Sequence, residues 1–129
     1  DIPKTKMAPA PSQPIPILIG GHAEAALRRA ARHDGWMHGG GDPAELDGLI
    51  TRLQQLREEE GRAGDPFEIH VISVDGFTLD GIKRLEDKGV TDVIVGFRVP
   101  YIMGPDTEPL DTKIRNLERF AEHVIAKAG

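Results

Sequence analysis

"PIPILIGGHAEAALRRAARHDGWMHGGG", Pro14 to Gly41, is the stretch whose reading decides the fold. Ile15 to Ile19 is a short apolar run with β-branched residues, the composition of a strand buried on both faces of a parallel sheet. Gly20 and Gly21 end it. Ala23, Ala26, Leu27, Ala30 and Ala31 then recur at helical spacing and form a one-sided apolar stripe. Arg28, Arg29 and Arg32 lie off that stripe, and Arg32 with His33 puts positive charge in the last turn, where the helix dipole favours it. Gly35 to His38 reads as a very short second strand, and Gly39 to Gly41 as a flexible loop.

The same alternation continues to the end of the chain. Asp42-Pro43-Ala44-Glu45 is a helix start, with Asp as N-cap, Pro at the first helical position and an acid in the first turn. Leu46, Leu49, Ile50, Leu53 and Leu56 supply its buried stripe, Arg57-Glu58-Glu59-Glu60 reads as a solvated face, and Gly61 is a stop. "FEIHVIS" alternates, with Phe67, Ile69 and Val71 on one face and Glu68, His70 and Ile72 on the other, as a third strand does. Thr78 can cap a helix that turns Leu79, Ile82 and Leu85 inward and ends at Gly89. "TDVIVGF" is a fourth strand, and a loop from Arg98 to Pro109 leads to a last helix from about Asp111, with Ile114, Leu117, Ala121, Val124 and Ile125 inward. Residues 1–14, rich in Pro and Lys, read as an extended connector, and residues 15–129 as one domain. The order βαβαβαβα predicts an α/β fold with a parallel sheet and right-handed helical crossovers.

Composition narrows the functions. A chain of 129 residues suits one compact domain. Its net charge of -5 gives neither a nucleic-acid groove nor an anionic membrane surface the basic excess it needs. Cys is absent, which excludes disulfides, thiolate metal sites and a Cys nucleophile. No apolar run approaches the ~20 residues of a membrane span, so the cytoplasm is the expected compartment. The sequence begins with Asp rather than Met, which suggests a piece of something longer. His22, His33 and His38 match no compact ligand spacing and have no clustered carboxylates beside them, so no metal site is expected there. No Ser/His/Asp triad or Walker loop can be assembled.

Four consecutive βα units are half of a (βα)8 TIM barrel. Pro16 to Gly21, Ala25 to Arg32 and Asp34-Gly35-Trp36 resemble the fifth strand, the following helix and the sixth strand of the luciferase-like monooxygenase family, which binds flavin or coenzyme F-420. "PFEIHV" and "LEDKGVTDVIV" are similar in style to its seventh strand, seventh helix and eighth strand. The resemblance implies the C-terminal half of an oxidoreductase barrel, with FMN or F-420 as cofactor and the substrate-facing residues mostly in the other half. It implies that the isolated chain is catalytically silent. Where the family often carries Ser or Asn after the paired glycines, this chain has His22, and it has His33 where Gly is common. Abundant Ala, Arg and Gly suit an actinobacterial source.

The candidate ligand residues follow the strand ends. Gly20 and Gly21 allow close backbone approach, and the amides of His22 and Ala23 could hold a cofactor phosphate; a simple tight turn is the other reading. Gly35 and Trp36 are expected at the rim where barrels bind ligands, with Trp36 either lining the cofactor or packed between barrel and helices. His38 is a candidate polar or proton-transfer group if it is not merely exposed, and His70 points into the barrel or packs beneath a helix. Arg98, Tyr101 and Met103 are further loop candidates, and His33 and His123 read as surface residues. Four parallel strands leave two open edges, so the missing N-terminal half-barrel or a second copy is the expected partner, in the second case as a homo-oligomer. The alternative function is a non-catalytic half-barrel module that dimerises to close a barrel.

Overall fold

A computed structural model describes residues 9–97 and 105–128. Its elements run β1 (Leu18–Gly20), α1 (Glu24–Ala30), β2 (Gly35–His38), α2 (Pro43–Glu59), β3 (Glu68–Ile72), α3 (Leu79–Glu86), β4 (Asp92–Ile94) and α4 (Leu110–His123). Short 3-10 turns at Val74–Phe77 and Ile125–Lys127 complete them. All strand pairings are parallel, and the sheet order is β1-β2-β3-β4. Each strand thus lies beside its sequence neighbour, as in a barrel wall, and the chain is a (βα)4 half of a TIM barrel.

Register assigns the two faces. Ile19 pairs with Trp36 and Trp36 with Ile69, while His38 pairs with Val71 and Val71 with Val93. These residues face the helices. Trp36, Ile69 and Val71 form one core with Leu27, Ala30 and Ala31 from the α1 region, Leu46, Ile50, Leu53 and Leu56 of α2, and Leu85 of α3. The intervening rungs face the other way: Gly20, Met37, His70 and Asp92 in one row, Ile72 and Ile94 in the next. That inner face is open, with Met37 36%, Ile72 39% and Ile94 38% exposed.

The helix starts use the signals in the sequence. Asp42 accepts a bond from the Ala44 amide, with Pro43 at the first helical position, and Thr78 accepts from Gly81. Each side chain satisfies an amide that has no helical partner.

Four expectations need correction. Ile15 and Ile17 are exposed and lie outside β1, which is an edge strand whose inner face is uncovered. The 3-10 turn at Val74–Phe77 intervenes before α3, and Leu79 remains exposed where it was expected inward. Arg57 is not on a solvated face; it is 5% exposed, and its Nη2 donates to the Arg62 and Asp65 carbonyls at 2.6 and 2.8 Å. Finally, Ile114, Leu117 and Ile125 are exposed, and of the expected α4 stripe only Val124 is buried. The stripe is amphipathic, but it finds no core to enter among the described residues. Phe120 instead joins Phe77 and Phe97 in an edge-to-face cluster with centroids 5.5 to 5.8 Å apart.

Candidate functional site

The carboxyl ends of the strands bring together Gly20 to Ala23 after β1, His38 to Gly41 after β2, and Ser73 to Phe77 after β3. Gly21 has φ +117°, a left-handed conformation that a side chain resists, and a Cβ there would sit 3.1 Å from the Ala26 Cβ. Its carbonyl accepts the Trp36 Nε1–H at 2.8 Å, which fixes the peptide plane that leads into His22. The backbone N–H groups of His22 and Ala23 meet no backbone acceptor among the described residues. Gly21 and Ala23 are exposed and His22 is half-buried, so this turn is open to a ligand.

His22 then lies flat on His38, with ring centroids 4.5 Å apart and planes 7° from parallel. Trp36 meets the edge of His38 at 5.6 Å. His38 is 3% exposed, and neither of its ring nitrogens has a hydrogen-bond partner. Burial, helped by the neighbouring His22, lowers its pKa, although Glu45 pulls the other way. The ring is therefore held neutral near pH 7. Gly40 and Gly41, at φ +90° and +131°, carry the chain past this stack.

A cavity of about 320 Å³ opens at the same rim, lined by His38, Gly41, Leu46, Ser73, Phe77 and Ile94 among others. Its walls are mostly apolar. Its charged wall residues already have partners: Asp75 with Arg84 at 2.7 Å and Lys88 with Asp47 at 2.6 Å.

The sequence profile of luciferase-like monooxygenases matches residues 2–77, which takes in β1 through the turn that follows β3. The chain belongs to the luciferase-like monooxygenase family. It is 82% identical over 127 residues to uncharacterized proteins of Mycobacterium tuberculosis and Mycobacterium bovis, covering 98% of this chain and 44% of each relative. It therefore spans less than half the length of the curated relatives it matches. No solved structure matches it significantly.

Within this luciferase-like half-barrel, Gly20, Gly21, His22 and Ala23 do lie together at the carboxyl rim. Gly35 does not. It is the first residue of β2, at the amino end, where a Cβ would lie 2.7 Å from the Glu68 carbonyl and 2.8 Å from Leu18 Cγ. Strand packing explains that glycine. Trp36 occupies the packed of its two foreseen positions: it is fully buried beneath α1 and α2. It touches the rim through the Gly21 carbonyl. His70 faces the open inner surface, His33 is half-buried and His123 is exposed. Arg98, Tyr101 and Met103 lie outside the described residues. The His22–His38 stack was absent from the sequence reading. Alternation with Trp36 could have placed His38 inward, but no spacing rule brings His22 over it. Among the described residues no helix is long and apolar enough to cross a membrane.

Proposed function

We propose that this chain is the C-terminal, phosphate-holding half of a flavin- or F-420-dependent oxidoreductase. The observation that carries the reading is the turn after β1: a glycine in a conformation that side chains rarely adopt, followed by two amides that meet no backbone acceptor among the described residues. These are the groups a phosphate requires. Because α1 has seven residues, the amides contribute more than the helix dipole does. His22 adds an imidazole beside them, in place of the hydroxyl that the family often carries.

In the whole enzyme, the flavin or deazaflavin ring would supply the hydride chemistry. The residues of this chain would bind and orient. The amides of His22 and Ala23 would hold the phosphate, and Trp36 would fix the Gly21 peptide. His38, neutral and shielded from water, would support His22 through stacking. Substrate contacts would come mainly from the first half of the barrel, so this half alone would be silent in catalysis. The relatives' greater length favours that first half as the partner over a second copy.

Phosphorus NMR tests the cradle, because it reads the phosphate even when ring contacts are missing. FMN and F-420 are each titrated with the chain at millimolar concentration. A shifted and broadened phosphorus resonance for either, lost in Gly21→Ala, is the expected result. An unperturbed resonance for both overturns the cradle and leaves the non-catalytic module.

A further inference from the structure

The open inner face carries a side-chain cluster that the cofactor reading does not use. Glu68 and His70 are alternate residues of β3, so both project to the inner side, and Asp92 on β4 is the registered partner of His70. The Glu68 Oε2 and Asp92 Oδ2 atoms converge on one ring nitrogen, His70 Nε2, at 2.9 and 3.1 Å. One nitrogen holds one proton, and that proton cannot be directed fully at both carboxylates. No Lys or Arg among the described residues pairs with either acid. The three groups thus carry negative charge whether the imidazole is neutral or protonated once. They do so on a sheet face that a complete barrel would enclose, where unbalanced charge is costly.

The geometry points to a divalent transition-metal site formed by Glu68, His70 and Asp92, with zinc the best match. One imidazole nitrogen and two carboxylate oxygens form a donor set that zinc accepts, with water completing four-coordination. The three ligating atoms lie within 4.8 Å of one another. Tetrahedral zinc with bonds of about 2.0 Å sets its ligand atoms about 3.3 Å apart. Nε2 and each oxygen therefore need to separate by only a few tenths of an ångström. The metal takes the position on Nε2 that a proton otherwise holds, the neutral ring keeps its one proton on Nδ1, and the two positive charges of the metal offset the two carboxylates. Strand pairing fixes all three backbone positions, so the site asks for side-chain adjustment alone. This site does not depend on the cofactor reading.

Isothermal titration of the chain with Zn(II) alone at neutral pH tests it, with Co(II) absorption reporting coordination. One site per chain is expected, with tetrahedral Co(II) bands. His70→Ala should abolish binding. Glu68→Gln and Asp92→Asn, at exposed positions that tolerate the change, should each weaken it by at least the ~10–100-fold that loss of an outer partner costs. His33→Gln, away from the site, should leave it unchanged. Absence of binding at millimolar Zn(II), or binding that survives Asp92→Asn and Glu68→Gln unchanged, reduces the cluster to an ion-pair network and overturns the site.

Discussion

Gly21 and Gly35 show how one residue type serves two physical ends. Gly21 is needed for its backbone conformation and Gly35 for its missing side chain. Gly35→Ala drives a Cβ into the Glu68 backbone, which cannot move without breaking the β2–β3 ladder, so it should cost about 3 kcal/mol or more in urea unfolding. Gly21→Ala meets strain at positive φ and a tight but yielding contact with Ala26, for about 1–2 kcal/mol. The sequence shows two glycines near strand ends and cannot separate these cases, since strand boundaries decide which rim each occupies. His38 gives a pH prediction at the same scale. Its folded pKa lies below the ordinary histidine value of 6.5, so the unfolded chain binds the proton more tightly. Stability is then full above about pH 6.5 and declines as pH falls toward the folded pKa, where it levels off. His38→Leu removes both the unpaired nitrogens and the titration. Its melting temperature should match or exceed that of the parent at about pH 7.5, and the gap in its favour should widen by about pH 5.5. Parallel pH profiles for the two proteins would contradict the burial of a neutral ring.

At the scale of elements, what the sequence showed and what it hid divide by locality. The α2 stripe, its Asp42 cap, the Thr78 cap and the alternation of β3 all depend on residues within a few positions, and each is legible. Arg57 is not, because its partners are carbonyls beyond the helix end. One guanidinium accounts for the Arg62 and Asp65 carbonyls and lies 4.1 Å over the Phe67 ring, which ties the α2–β3 loop to the core. Burial lowers its pKa, with Arg62 adding to the effect, yet it stays charged. Arg52 makes a richer set of ion pairs, with Glu24 at 2.7 Å and Glu59 at 3.2 Å, but on an exposed surface between α1 and α2. The two should rank opposite to their ion-pair counts. Arg57→Ala should lose about 2–3 kcal/mol, and Arg52→Ala less than about 1 kcal/mol, with the latter shrinking further in high salt. Denaturant melts at low and high ionic strength read both; an Arg52 cost larger than that of Arg57 would show that the surface network, and not the buried guanidinium, holds the helices. The Glu68–His70–Asp92 cluster was equally hidden. Its third member lies 22 positions from the second, and only the strand register unites them.

For the whole molecule, the βα order alone predicts a half-barrel, and the structure shows what such a half leaves uncovered. The helix-facing side of the sheet holds the core, with Trp36, Val71 and Leu53 sealed from solvent. The inner side exposes Met37, Ile72 and Ile94, and the α4 stripe exposes Ile114 and Leu117. β1 and β4 are both edges with unpaired backbone groups. Burial of apolar surface at roughly 25 cal/mol per Å² favours covering these surfaces, and the inner face cannot fold back on itself because its strands are fixed by the helices behind them. Sedimentation should therefore show an average mass that rises with concentration. Ile72→Lys with Ile94→Lys should suppress that rise while leaving the melting temperature nearly unchanged, since both side chains point away from the core. A polypeptide comprising the part of the mycobacterial relative that this chain does not match should compete for the same surface and convert the assemblies to a one-to-one complex. If the chain instead sediments as a monomer at every concentration and ignores that polypeptide, the inner face is stable in water as it stands. The closure of this half by a missing partner would then have to be abandoned.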